Sequence, residues 1–132
     1  MQLKSAGPTA KGPSERFTGD VYVTMIATPE ESLGLSAGIV RFTPGARTNW
    51  HVHQTGQTLH VLEGTALIGN RGGDIVRARA GETVLCPPGV DHWHGAAADI
   101  LMAHLAMVAT TAEGTTWFEP VTDEQYQAAT ES

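Results

Sequence analysis

The sequence has one cysteine, Cys86, among 132 residues, which excludes an internal disulfide framework. Its place before Pro87 reads as a buried thiol at a strand end rather than a nucleophile. Cations are also scarce: eight Lys and Arg stand against 14 Asp and Glu, for a formal net charge of −6. The eight, scattered from Lys4 to Arg79, form no dense cluster, so no nucleic-acid partner is expected. No apolar run reaches membrane-spanning length, and the opening MQLKSAGPTAKGPSERF lacks the apolar stretch of a secretory leader. The expectation is therefore a cytoplasmic protein with no membrane partner. No helical period dominates, and there are no repeats or low-complexity segments.

What is present is turn punctuation. The 15 Gly and 7 Pro sit largely between short apolar runs, the pattern of an all-β fold. The length suits one domain over residues 1–132, divided into an irregular arm at 1–16, a barrel at 17–110, and a tail with a short C-terminal helix at 111–132. Strands are expected at 21–27, 36–43, 57–62, 65–68, 75–79, 82–86, 92–95 and 99–108, with a helix at 122–129. The stretch GNRGGD at 69–74 is a hairpin turn of residues that tolerate positive φ. A small barrel leaves sheet edges to cover, and residues 17–26 are long enough to pair with a neighbour's sheet, so a homodimer or homotetramer is expected.

Histidines carry the chemistry. In a strand alternate side chains share a face, so His51 and His53 project together and can grip one ion. Gln57 lies beyond the turn residues Gln54, Thr55 and Gly56 and can return a carbonyl oxygen to the same centre; His92 can close the set from a second strand. Three imidazoles and one neutral oxygen suit Mn, Fe, Co, Ni, Cu or Zn rather than Ca or Mg. His94 shares a face with His92 and sits beside the ion. His104 falls on a face of apolar or small residues, where burial is costly unless the ring is hydrogen-bonded or functional. By the same alternation His60 faces outward and Trp93 points away from His92 into packing. Gly38, Val40 and Phe42 share a face that forms part of a pocket wall, and Met102 and Val108 lie on the His104 face.

The two histidine stretches have a recognisable frame. In the first, Gly45 is followed after five residues by His51, then His53, Gln57 and Gly64; in the second, Gly81 is followed after five residues by Pro87, then Gly89 and His92. The pair resembles the signature of the cupin superfamily, which implies a single cupin β-barrel of jelly-roll type. The sequence departs from the general pattern in having Gln57 where Glu is commonest and Ala96 where Asn is frequent. A neutral amide leaves a divalent ion its full charge and strengthens it as a Lewis acid, which favours acid/base or elimination chemistry.

PGARTNWHVHQTGQTLHVLEG, PPGVDHWHGAA, MAHLAM and VTDEQY together are similar to small bacterial monocupins that include manganese-dependent hydroxynitrile lyases, a group close to the carboxymuconolactone decarboxylase-associated cupins. The likeness implies that His51, His53, Gln57 and His92 ligate Mn(II), with Fe(II), Zn(II), Ni(II) or Co(II) as alternatives. It implies that His94 and His104 are the active-site histidines of a lyase acting on cyanohydrins of aldehydes. Two other readings stay open: an oxygen-using or isomerase-type metalloenzyme on a small aromatic or keto acid, and a non-catalytic barrel that binds a small ligand.

Overall fold

The structure, a computed structural model, describes residues 1–32, 34–110 and 114–132. In chain order its elements are β1 (Thr9–Lys11), β2 (Phe17–Thr18), β3 (Val21–Ala27), β4 (Leu35–Phe42), β5 (Arg47–Thr48), β6 (His51–His53), β7 (Gln57–Asn70), β8 (Ile75–Arg79), β9 (Thr83–Cys86), β10 (His92–Ala96), β11 (Met102–Ala109), β12 (Thr115–Trp117) and α1 (Asp123–Thr130). Among the described residues the twelve strands form one curled antiparallel sheet whose main path runs β1-β3-β4-β11-β7-β10-β5-β2. No helix among them is long and apolar enough to cross a membrane.

The curl comes from β7, which serves two leaves. Its first half pairs with β11 and β9, its second half with β10 and β8. Between the halves the pairing passes from Val61↔His104 to Glu63↔Ala103, so Leu62 has no partner and bulges out. Gly64 follows at φ 71°, with no room for a side chain against the Leu101 carbonyl. A bulge and a left-handed glycine bend a strand without ending it. This is why the expected strands at 57–62 and 65–68 are one element.

The core has two parts. Val21, Phe42, Leu59, Val61, Ile68 and Met102 fill the space between the leaves. Trp50, Leu67, Trp93, Val121, Tyr126 and Ala129 form a second cluster where α1 covers the outside of β7 and β10. Alternation explains the division, since Leu67 and Trp93 point to the helix while their neighbours Ile68 and His94 point inward. The helix is fixed at its start by a capping box of Thr122 and Gln125. Arg47 donates to the Val121 carbonyl and to Asp123, and the Tyr126 hydroxyl donates to the Ala96 carbonyl at 2.8 Å.

Three expectations need correction. The arm expected to be irregular contains β1, which pairs with β3. The stretch at 17–26 is not one strand: Gly19, at φ 81°, turns the chain, so β2 joins β5 while β3 joins β1 and β4. β3 is thus paired with β4 on one side and, over residues 22–24, with β1 on the other, so β1 ends this side of the sheet. The tail expected beyond residue 110 contains β12, paired to β6. Cys86 is buried at the end of β9, where burial pushes its thiol up to about 11.

Candidate metal centre

The short strand β6 places His51 and His53 on one face. Antiparallel pairing sets His92, the first residue of β10, directly opposite His51. One nitrogen from each of the three lies within 4.8 Å of the other two, and all three rings are buried. Gln57 opens β7 after the turn at Gly56, whose φ of 80° brings the chain back toward β6. Its Oε1 stands 3.0 Å from His92 Nε2.

The hydrogen bonds decide which nitrogen is free. His51 Nδ1 lies 3.0 Å from the Asn49 carbonyl and His92 Nδ1 lies 3.2 Å from the Val90 carbonyl. A carbonyl only accepts, so both Nδ1 atoms carry the proton and both Nε2 atoms present lone pairs. His53 Nδ1 is 2.9 Å from the Thr115 hydroxyl, and its Nε2 is buried with no partner. The Gln57 Oε1 and His92 Nε2 lone pairs therefore oppose each other, as do acceptors around a shared cation; turning the amide over relieves the contact in a metal-free site. An orphaned His53 Nε2, the tautomers that carbonyls impose on His51 and His92, and a neutral oxygen make a donor set that fits a divalent transition-metal ion.

Electrostatics keep the rings neutral, the form that ligates. Burial, joined by the neighbouring His92, lowers His51 to about 3 and His53 to about 4. Burial also lowers His92, against the favourable Val90 carbonyl and Asp91. His94 falls well below the ordinary histidine value through burial and then through His104 and the other rings. His104, itself fully buried, is lowered to about 4 by desolvation.

A cavity of about 310 Å³ opens on this group. His51, His53, Gln57 and His94 line it, with Phe17, Val23, Met25, Val40 and Val108 among its walls. The described lining contains no Lys, Arg, Asp or Glu. His94 is joined through Nδ1 to Nε2 of His104 at 2.9 Å, leaving His94 Nε2 and His104 Nδ1 buried without partners. His104 does not reach the cavity wall; it stands behind His94, with Phe42 packed 5.2 Å from its ring.

Of the expected wall residues, Gly38, Val40 and Val108 line the cavity; Phe42 and Met102 do not. Those two are paired across β4 and β11 and belong to the buried core, so they share the inward face but are consumed by packing. Sequence reasoning missed Met25, Thr48, Thr115 and Trp117. Thr48 lies three residues before His51, and its hydroxyl accepts the His94 backbone N–H at 3.2 Å. Trp117 stacks on His51 with ring centroids 4.7 Å apart and planes at 28°. No periodicity ties a residue so distant in sequence to the histidine stretch.

A curled barrel with histidines converging at its mouth is the architecture of one family, and the chain belongs to it: residues 38–108 match the cupin domain. The chain is 39% identical over 130 residues to an (R)-mandelonitrile lyase of Granulicella tundricola, covering 96% of this chain and 99% of that protein. A cupin-like protein of Thermotoga maritima has a similar structure, with TM-score 0.87 and 38% identity over 100% of this chain and 99% of its own. A cupin-2 domain protein of Rhodospirillum rubrum, 18% identical over 96% of this chain and 84% of its own with TM-score 0.70, shares the fold.

Proposed function

We propose that the protein is a Mn(II)-dependent lyase of the hydroxynitrile lyase type, cleaving cyanohydrins into aldehyde and cyanide and catalysing the reverse addition. The observation that carries the reading is the neutral His94, facing the cavity beside the three-histidine group and backed by buried His104. The named lyase relative supports the same chemistry.

An ion held by His51, His53, Gln57 and His92 would supply Lewis acidity toward a substrate oxygen. The chain's own residues do the rest. The apolar walls from Phe17, Val23 and Val108 hold the organic group and keep water away. His94 Nε2, with no protein partner, takes the hydroxyl proton as the carbon–carbon bond breaks and its electron pair leaves with cyanide. The same atom then returns the proton, so that aldehyde and hydrogen cyanide leave and the imidazole ends neutral. His104 sets which His94 nitrogen is protonated. When His104 Nε2–H donates to His94 Nδ1, Nε2 of His94 bears a proton; when His94 donates instead, its Nε2 is the base.

The test is elemental analysis of protein purified without chelator or affinity nickel, followed by mandelonitrile cleavage with oxygen uptake run beside it. The expected result is close to one Mn per chain and benzaldehyde release without oxygen consumption. Oxygen uptake in place of cleavage would replace the lyase with a dioxygenase. Failure to take up metal on soaking would leave a small-ligand-binding barrel.

A further inference from the structure

The candidate ligands are not held by the barrel strands alone. Among the described residues β12 pairs only with β6, yet it supports two of them. Thr115 meets His53 Nδ1 and Trp117 stacks on His51. Bonds between Phe118, Glu119 and the Asn49–Trp50 segment continue this pairing past β12, and Arg71, in the turn between β7 and β8, adds a side-chain anchor from outside. Its Nη1 and Nη2 donate to both carboxylate oxygens of Glu119 at 3.0 and 2.8 Å, and its Nε donates to Asp91 at 3.3 Å. The guanidinium lies 4.2 Å from the Trp50 ring centroid and 5.9 Å from that of Phe118.

Each contact falls beside the centre. Trp50 immediately precedes His51, Asp91 immediately precedes His92, and Glu119 follows Trp117 by two residues. The turn that carries Arg71 follows Asn70, the β7 partner of His92. We propose that Arg71 is a positioning residue for the metal centre: a single guanidinium on the outer surface clamps the segments bearing His51, His92 and Trp117 and so sets the spacing of the donor atoms. The proposal rests on the metal reading above.

A solvated ion pair taken alone contributes little. This contact differs because a planar fork engages one carboxylate twice, reaches a second carboxylate, and stacks on an indole. Lysine can reproduce the charge but neither the fork nor the stacking. A simple field effect has the opposite sign: removing a cation while leaving Asp91 and Glu119 would draw a divalent ion in more strongly.

The experiment measures Mn²⁺ affinity of metal-free wild type, Arg71→Met and Arg71→Lys by equilibrium dialysis with elemental readout at physiological salt. Circular dichroism and thermal unfolding of the metal-free proteins run beside it. Both variants are expected to bind Mn²⁺ about tenfold more weakly, the scale typical of groups that orient a metal's ligands. Affinities within twofold of wild type, tighter binding by Arg71→Met, or full retention by Arg71→Lys would each overturn the clamp. Should Arg71→Met fail to fold, Glu119→Gln, which weakens the fork and keeps the arginine, carries the same expectation. Wild type that binds no Mn²⁺ would refute the metal reading, and the clamp with it.

Discussion

Five buried histidines cluster inside the barrel and only their hydrogen bonds separate their roles. His51, His53 and His92 each commit Nδ1 to a carbonyl or hydroxyl and turn Nε2 to a common point. His94 commits Nδ1 to another imidazole, His104, which does not itself line the cavity. Replacing His104 by Ala should therefore leave bound metal and KM nearly unchanged while lowering kcat for cyanohydrin cleavage about a hundredfold, the low end for a positioned acid–base group. His104→Gln, whose amide oxygen can still accept from His94 Nδ1–H and so keep Nε2 the base, should recover part of that loss. Equal losses in both variants, or a raised KM at unchanged kcat, would show that the ring only fills space. Strand alternation placed His104 on an inward face among small residues, but the distance to His94 depends on how β10 and β11 meet across β7, which no local pattern encodes.

At the scale of elements, β7 determines whether there is a barrel. The Leu62 bulge and Gly64 redirect the strand from one leaf to the other. In Gly64→Ala the new methyl would overlap the Leu101 carbonyl in addition to the positive-φ strain, whereas Gly73→Ala, at φ 91° in the exposed turn, meets nothing within 4 Å. Denaturant unfolding should show Gly73→Ala costing about 1 kcal/mol, the usual penalty of a left-handed non-glycine residue. Gly64→Ala should cost several times that or prevent folding; similar losses at both positions would refute the role of the bend. The strands themselves were legible because apolar runs punctuated by Gly and Pro are a local signal. The join within β7 was not, since a bulge and a turn look alike when the partner strand is unknown. β1 and β12 were illegible for a related reason: each is three residues long, too short for a period, and exists only because β3 and β6 offer an edge.

For the molecule as a whole, burying neutral histidines makes stability depend on pH in one direction. His104 is lowered in the fold to about 4 from an ordinary 6.5. The unfolded chain therefore takes up a proton below pH 6.5 that the folded chain refuses until about pH 4, so the contribution is fully present above pH 6.5 and is lost as pH falls through that window. The slope for one such group is at most about 1.4 kcal/mol per pH unit, a large share of a typical folding free energy of about 5–15 kcal/mol. Carboxylates act in a separate range: Glu119, held down to about 2 by Arg71, loses its contribution only at lower pH. The urea midpoint of the metal-free protein should thus fall as pH drops from 7.5 to 5. In His104→Leu, which keeps the volume and removes the titrating group, it should fall less steeply, so that the variant gains on wild type toward acid. Parallel midpoint curves for the two proteins would mean that the folded chain accepts a proton at His104 as readily as the unfolded chain does, and that the interior behind His94 is not the desolvated environment its burial implies.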